Sequence, residues 1–145
     1  MNITKRRSFL KTTAAASTLP LFNILPGYGK EPKEKLNFAI IGCTQQGGNI
    51  GNGAIGTGMT NIVAICDVEP SRANRFKAKH PQAKVYDDFR KMFDEMGDKI
   101  DACTVGVPDH AHFPITMRAI KEGVAVYVEK PLAHTFEECE LLLQA

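Results

Sequence analysis

The stretch LNFAIIGCTQQGGNIGNGAIGTGMTNIVAICD (36–67) decides the fold. Its opening, LNFAIIG (36–42), is a short apolar run closing in glycine, the pattern of a parallel strand buried on both faces. GCTQQGGNIGNGAIGTG (42–58) then holds seven of the chain's twelve glycines, and NIVAICD (61–67) is a second β-branched run that ends in an acid. Strand, glycine turn, helix and strand make a βαβ unit of about 30 residues. Such a turn captures anions. Glycine lets the backbone bend tightly and lets a pyrophosphate reach the N–H groups at the positive end of the next helix.

Set against G-x-G-x-x-G, Gly42 makes the turn and Gly47 permits close helix–strand packing, while Thr44 stands in place of the middle glycine. A threonine hydroxyl can itself donate to a phosphate oxygen. Gln45 and Gln46 complete the candidate loop. A P-loop is excluded, because Gly48-Asn49 occupy the positions where that motif needs Lys and then Ser or Thr. Asp67 lies 25 residues after Gly42 at the end of the second strand, where a carboxylate accepts hydrogen bonds from a ribose 2′-hydroxyl. The same charge repels a 2′-phosphate, and Arg72, five residues on, is a compromise partner at best. NAD is therefore expected over NADP.

Downstream, strands and helices alternate. The spacing predicts a helix from Pro70 that Pro81 stops, a strand over 83–88, and a helix over 89–97 with Phe89, Met92, Phe93 and Met96 as its core stripe. A fourth strand is predicted over 100–108, a helix over 112–123, a fifth strand over 124–131 and another helix from residue 135. The alternation predicts an α/β fold with a doubly wound parallel sheet.

The start of the chain is different in kind. Residues 1–35 carry seven basic and two acidic residues. KRRSFLK (5–11) followed by a weak apolar stretch from Thr12 to Leu25 resembles a twin-arginine export signal, with cleavage between about residues 25 and 35 or retention as an anchor. Setting these residues aside leaves eleven basic and fourteen acidic residues, a net −3 against +2 for the whole chain. That balance excludes a nucleic-acid binder, which concentrates basic charge on one face. Membrane contact is expected only through the signal segment, and the location implied is periplasmic. The four cysteines, at 43, 66, 103 and 139, contain no CxxC and read as small core residues.

GCTQQGG, ICD, VPDHAH (107–112) and VYVEKPLAHTFEECELL (126–142), in this order and spacing, resemble the Gfo/Idh/MocA oxidoreductases, and within them the exported, twin-arginine branch. The resemblance covers about 110 residues, a Rossmann dinucleotide-binding domain over 36–145. It implies that Lys130 of EKP stands by the nicotinamide and the substrate hydroxyl and moves the proton while hydride passes to or from a sugar or polyol carbon. A Lys buried beside a positive nicotinamide has its pKa lowered, which suits acid–base work near neutral pH. Glu129 orients Lys130 or touches cofactor, Pro131 locks the loop, and Pro108 packs along the nucleotide where the strand order switches. His110 and His112 close the pocket beside the nicotinamide ribose or make structural hydrogen bonds; a metal reading fails for want of a third ligand cluster. His134 matches a position near the cofactor, and His80, before Pro81, reads as surface.

Family members carry a second α/β domain that shapes the sugar site, so this chain reads as the cofactor-binding part of a larger, homo-oligomeric protein, ending before the last strand or two of its sheet. Three functions follow. The first is an exported NAD-dependent sugar or polyol oxidoreductase. The second is a redox-neutral glycosidase, in which transient oxidation of C3, elimination and hydration break the glycosidic bond before the hydride returns. The third is a non-catalytic nucleotide-binding protein.

Overall fold

The structure, a computed structural model, describes residues 35–145, so the export-signal expectation lies outside the described residues except at Lys35. Five parallel strands, β1 (Leu36–Ile41), β2 (Thr60–Cys66), β3 (Lys84–Tyr86), β4 (Ala102–Val105) and β5 (Ala125–Val128), form one sheet in the order β3-β2-β1-β4-β5. Between and after them run α1 (Gln45–Gly56), α2 (Pro70–Lys79), α3 (Phe89–Met96), α4 (His112–Lys121) and α5 (Phe136–Gln144). This is the expected Rossmann-type α/β fold. Among the described residues no helix is long and apolar enough to cross a membrane.

Period-two alternation along β1 explains the two cores. Ala39 and Ile41 face one side, where Met92, Phe93 and Met96 of α3 and Ile115 and Ala119 of α4 cover them; Phe38 and Ile40 face the other, against Ala73 and Phe76 of α2. Neither face is left wet, which is why β1 reads as a continuous apolar run.

Helix ends follow local chemistry. Asp88 caps α3 by accepting the Arg90 backbone N–H, and that bond holds its carboxyl below the ordinary range. Thr135 and Glu138 form a reciprocal capping box at the start of α5.

Register positions the site. Ile41 is level with Cys66 and Val105, and Val105 with Val128. The next residues, Gly42, Asp67, Gly106 and Glu129, therefore leave the sheet in one row. The last ladder bonds run from Gly42 N–H to the Cys66 carbonyl at 2.9 Å, Gly106 N–H to Ile41 at 2.8 Å and Glu129 N–H to Val105 at 2.9 Å.

Three expectations are corrected. The third, fourth and fifth strands are shorter than their apolar runs, because pairing ends where the row of strand ends turns away; Lys130 and Pro131 lie in a turn beyond β5. Phe89 is half-buried at the edge of the core, whereas Met92, Phe93 and Met96 are fully inside it. His80 is not a surface residue: it is half-buried, with Nε2 shielded and without a partner among the described residues.

Candidate active site

A crossing made of backbone lies at the centre of the site. Gly42, with φ +88°, turns the chain into α1, and a Cβ built there would stand 2.1 Å from the Gly106 carbonyl oxygen. One on Gly47 would stand 2.2 Å from the same oxygen, and one on Gly106 would stand 2.2 Å from the Gly47 Cα. No side chain fits at any of the three. Gly106 carries no signal in the G-x-G-x-x-G spacing; its trace in the sequence is a lone glycine ending the fourth apolar run, TVGVP.

The crossing leaves the start of α1 open. Thr44 is its N-cap, extended at φ −128°, with its side chain making no capping bond. Gly48 N–H takes the Thr44 carbonyl at 3.1 Å as the first helical bond, so the N–H groups of Gln45, Gln46 and Gly47 before it have no intrahelical acceptor. No acid stands in the first turn. Gln45 holds φ +46°, unusual for a residue with a side chain. A glycine cradle, free N–H groups and a free hydroxyl fit a pyrophosphate.

Asp67 is buried, and both of its oxygens are engaged: Oδ2 accepts Cys43 N–H at 2.9 Å and Oδ1 accepts Glu69 N–H at 3.0 Å. The carboxylate thus ties the glycine turn to the end of β2, and each oxygen keeps a second lone pair for a ribose hydroxyl. Burial, with the Asp67 charge adding to it, pushes the thiols of Cys43 and Cys66 up to about 12, and burial alone does the same for Cys103. These three cysteines are buried and Cys139 is half-buried, all four as free thiols.

Two cavities flank the crossing. One, of about 700 Å³, is lined by Gly42, Thr44, Asp67, Arg72, Phe89, Arg90, Pro108 and His110. The guanidinium of Arg90 lies 4.8 Å over the Phe89 ring. Sequence reasoning missed this wall by assigning Phe89 to the core, since helical spacing cannot separate the first residue of a stripe from the rest. The second cavity, of about 760 Å³, brings together Thr44, Gln45, Gln46, Gly47, Arg72, Pro108, His112, Glu129 and Lys130. Every predicted site residue thus lines one cavity or both; His134 lines neither, and its backbone N–H is bound to Glu138 Oε2 at 2.7 Å.

Lys130 is exposed, in the turn beyond β5 that lines the second cavity. Glu129 Oε2 accepts the Lys130 backbone N–H at 3.1 Å. The Lys130–Pro131 bond is cis. His112 is 1% exposed with both ring nitrogens against backbone carbonyls.

The α-N-acetylgalactosaminidase of Tannerella forsythia is 30% identical over 92% of this chain and 34% of its own length. The inositol 2-dehydrogenase/D-chiro-inositol 3-dehydrogenase of Lactiplantibacillus plantarum is 32% identical over 54% of this chain and 22% of its own. The crystal structure of myo-inositol 2-dehydrogenase from Lactobacillus plantarum superposes with a TM-score of 0.69 at 25% identity, covering 77% of this chain and 32% of that one. The chain spans about a third or less of the length of these relatives. Residues 36–145 match the model of the oxidoreductase family with an NAD-binding Rossmann fold, GFO_IDH_MocA, and the chain belongs to that family.

Proposed function

We propose that the chain is the cofactor-binding part of an exported, periplasmic enzyme that transfers hydride between NAD and a sugar or polyol hydroxyl. The observation that carries this reading is the second cavity, which brings Lys130 and Glu129 together with the open start of α1 at Thr44, Gln45, Gln46 and Gly47. Bound NAD supplies the hydride acceptor. The chain's own part is to seat the pyrophosphate on the N–H groups of residues 45–47, to take ribose hydroxyls on Asp67, and to accept the substrate hydroxyl proton on the Lys130 amine as the C–H hydride leaves. The buried charge of Asp67 favours NAD over NADP. The basic segment 5–11 supports export by the twin-arginine route, and the family resemblance supports a homo-oligomeric whole protein.

Lys130→Met in the whole protein tests the reading: NADH binding, followed by fluorescence, is retained while turnover of the sugar or polyol is lost. Full turnover in that variant, or no NADH binding by the wild type, overturns it.

A second reading is favoured by one observation. The similarity to the Tannerella α-N-acetylgalactosaminidase covers 92% of the chain and so extends before residue 36, whereas that to the inositol dehydrogenase covers 54%. A redox-neutral glycosidase suits a compartment without a free nicotinamide pool, because the hydride returns within each cycle. Release of nitrophenol from an aryl glycoside without net NADH favours it. Steady NADH accumulation with a free sugar refutes it.

A further inference from the structure

His112 opens α4 and is 1% exposed, yet its contacts reach outside the helix in two directions. Nε2 lies 2.8 Å from the carbonyl oxygen of Val107, at the end of its own loop, and Nδ1 lies 2.5 Å from the carbonyl oxygen of Pro131, in the turn beyond β5. Both partners are carbonyls, which only accept, so the ring must be the donor at each contact that forms. On its other side the same turn is held by the Glu129 N–H bond to Val105 and by the Glu129 carboxylate on the Lys130 N–H. Lys130 is therefore bracketed. Its N-terminal neighbour is tied to β4, and its C-terminal neighbour is tied to the first residue of α4.

We propose that His112 is a positioning residue: donation from Nδ1 to the Pro131 carbonyl pins the 130–131 turn to the start of α4 and sets where the Lys130 amine stands in the cavity. The proposal rests on the reading that Lys130 moves the substrate proton. It gives His112 a task different from touching the cofactor, since both ring nitrogens face the protein's own backbone. An exposed amine on four methylenes samples many positions, and fixing its backbone narrows that range toward the reacting hydroxyl.

The two contacts can be separated. Asparagine places an amide nitrogen near the position of Nδ1, and glutamine places one near Nε2. In the whole protein, His112→Asn keeps the donor to Pro131, while His112→Gln keeps the one to Val107 and releases the pin. Loss of one such bond speeds amide exchange over residues 129–135 by about tenfold in the Gln variant, read by mass spectrometry. Its turnover falls by up to about 100-fold while NADH affinity stays unchanged; the Asn variant stays near wild type in all three readouts.

Equal exchange in the two variants, the reverse order, or a loss of NADH affinity as large as the loss of turnover overturns the proposal. If either variant fails to fold, long-range ¹H–¹⁵N spectra of wild-type protein labelled at histidine decide: a proton on His112 Nδ1 is expected, and its absence overturns the pin. Failure of the Lys130 reading is distinguishable, because it shows as undiminished turnover in Lys130→Met with the exchange results unaltered.

Discussion

Gly106→Ala should disable the nucleotide-binding end of the sheet although it adds one methyl group. The new Cβ stands 2.2 Å from the Gly47 Cα and 2.9 Å from the Gly47 nitrogen. Carbon atoms rest at about 3.5–4.0 Å, so α1 and the end of β4 must separate by about 1.3 Å or more. Overpacking of this kind costs about 1–3 kcal/mol, and here both surfaces are backbone with no rotamer to turn aside, which puts the cost near about 3 kcal/mol. In a domain of this size each kcal/mol lowers Tm by about 4–8 °C, so a fall of about 12 °C or more is expected by circular dichroism. Separation also spreads the cradle, so NADH affinity measured by fluorescence should drop with stability. Gly53→Ala is the control: it lies in α1 as well, but its Cβ meets nothing within 4 Å. Removing an interior helical glycine there should stabilise by about 0.5–1 kcal/mol and leave NADH binding alone. If Gly106→Ala melts with the wild type and binds NADH equally, or if the two variants behave alike, the backbone crossing is not what shapes the site.

Asp67→Asn keeps the shape but sets an amide NH₂ against one of two backbone donors, an unpaired contact worth about 1–3 kcal/mol; NADH should bind about tenfold more weakly, and an unchanged Kd refutes the link between Asp67 and the glycine turn. Thr135→Ala removes the capping box and should cost about 1 kcal/mol, visible as a lower urea midpoint. The buried thiols define an alkaline window. Their values are raised from 9.0 to about 12 in the folded chain, so the unfolded chain loses its protons first, and stability should hold below about pH 9 and fall between about pH 9 and 12. At pH 8, iodoacetamide should therefore label half-buried Cys139 ahead of Cys43, Cys66 and Cys103, and denaturant should abolish the difference.

The alternation of strands and helices and the parallel sheet were legible because they depend on features a linear chain displays: two-sided apolar runs, a glycine turn and an acid closing β2. Residue identity also announced Gly47 as a packing glycine. What stayed hidden depends on who sits opposite whom. Gly106 matters because Gly42 and Gly47 cross it, a contact between positions about 60 residues apart that no local spacing encodes. Phe89 shares the period of Met92 and Phe93 but stands where the sheet stops covering the helix, so periodicity assigns it correctly to a face and wrongly to a depth. Lys130 follows β5 and is exposed in this chain, a depth the sequence does not display, since burial depends on what stands over the cavity mouth. His112 is the clearest instance: the sequence left a pocket wall and structural hydrogen bonding both open, and the residue lines the cavity while its ring meets the carbonyls of Val107 and Pro131 on separate loops, partners that no local spacing announces.

The backbone crossing has a consequence for how such a site can change over time. Its floor is built from absent side chains and from N–H groups common to every residue, so no substitution can improve it and nearly any substitution spoils it. Variation is confined to the borders, with Asp67 and Phe89 lining the first cavity, Lys130 and its turn lining the second, and Arg72 lining both. A chain organised in this way can alter one border while the backbone floor stays untouched.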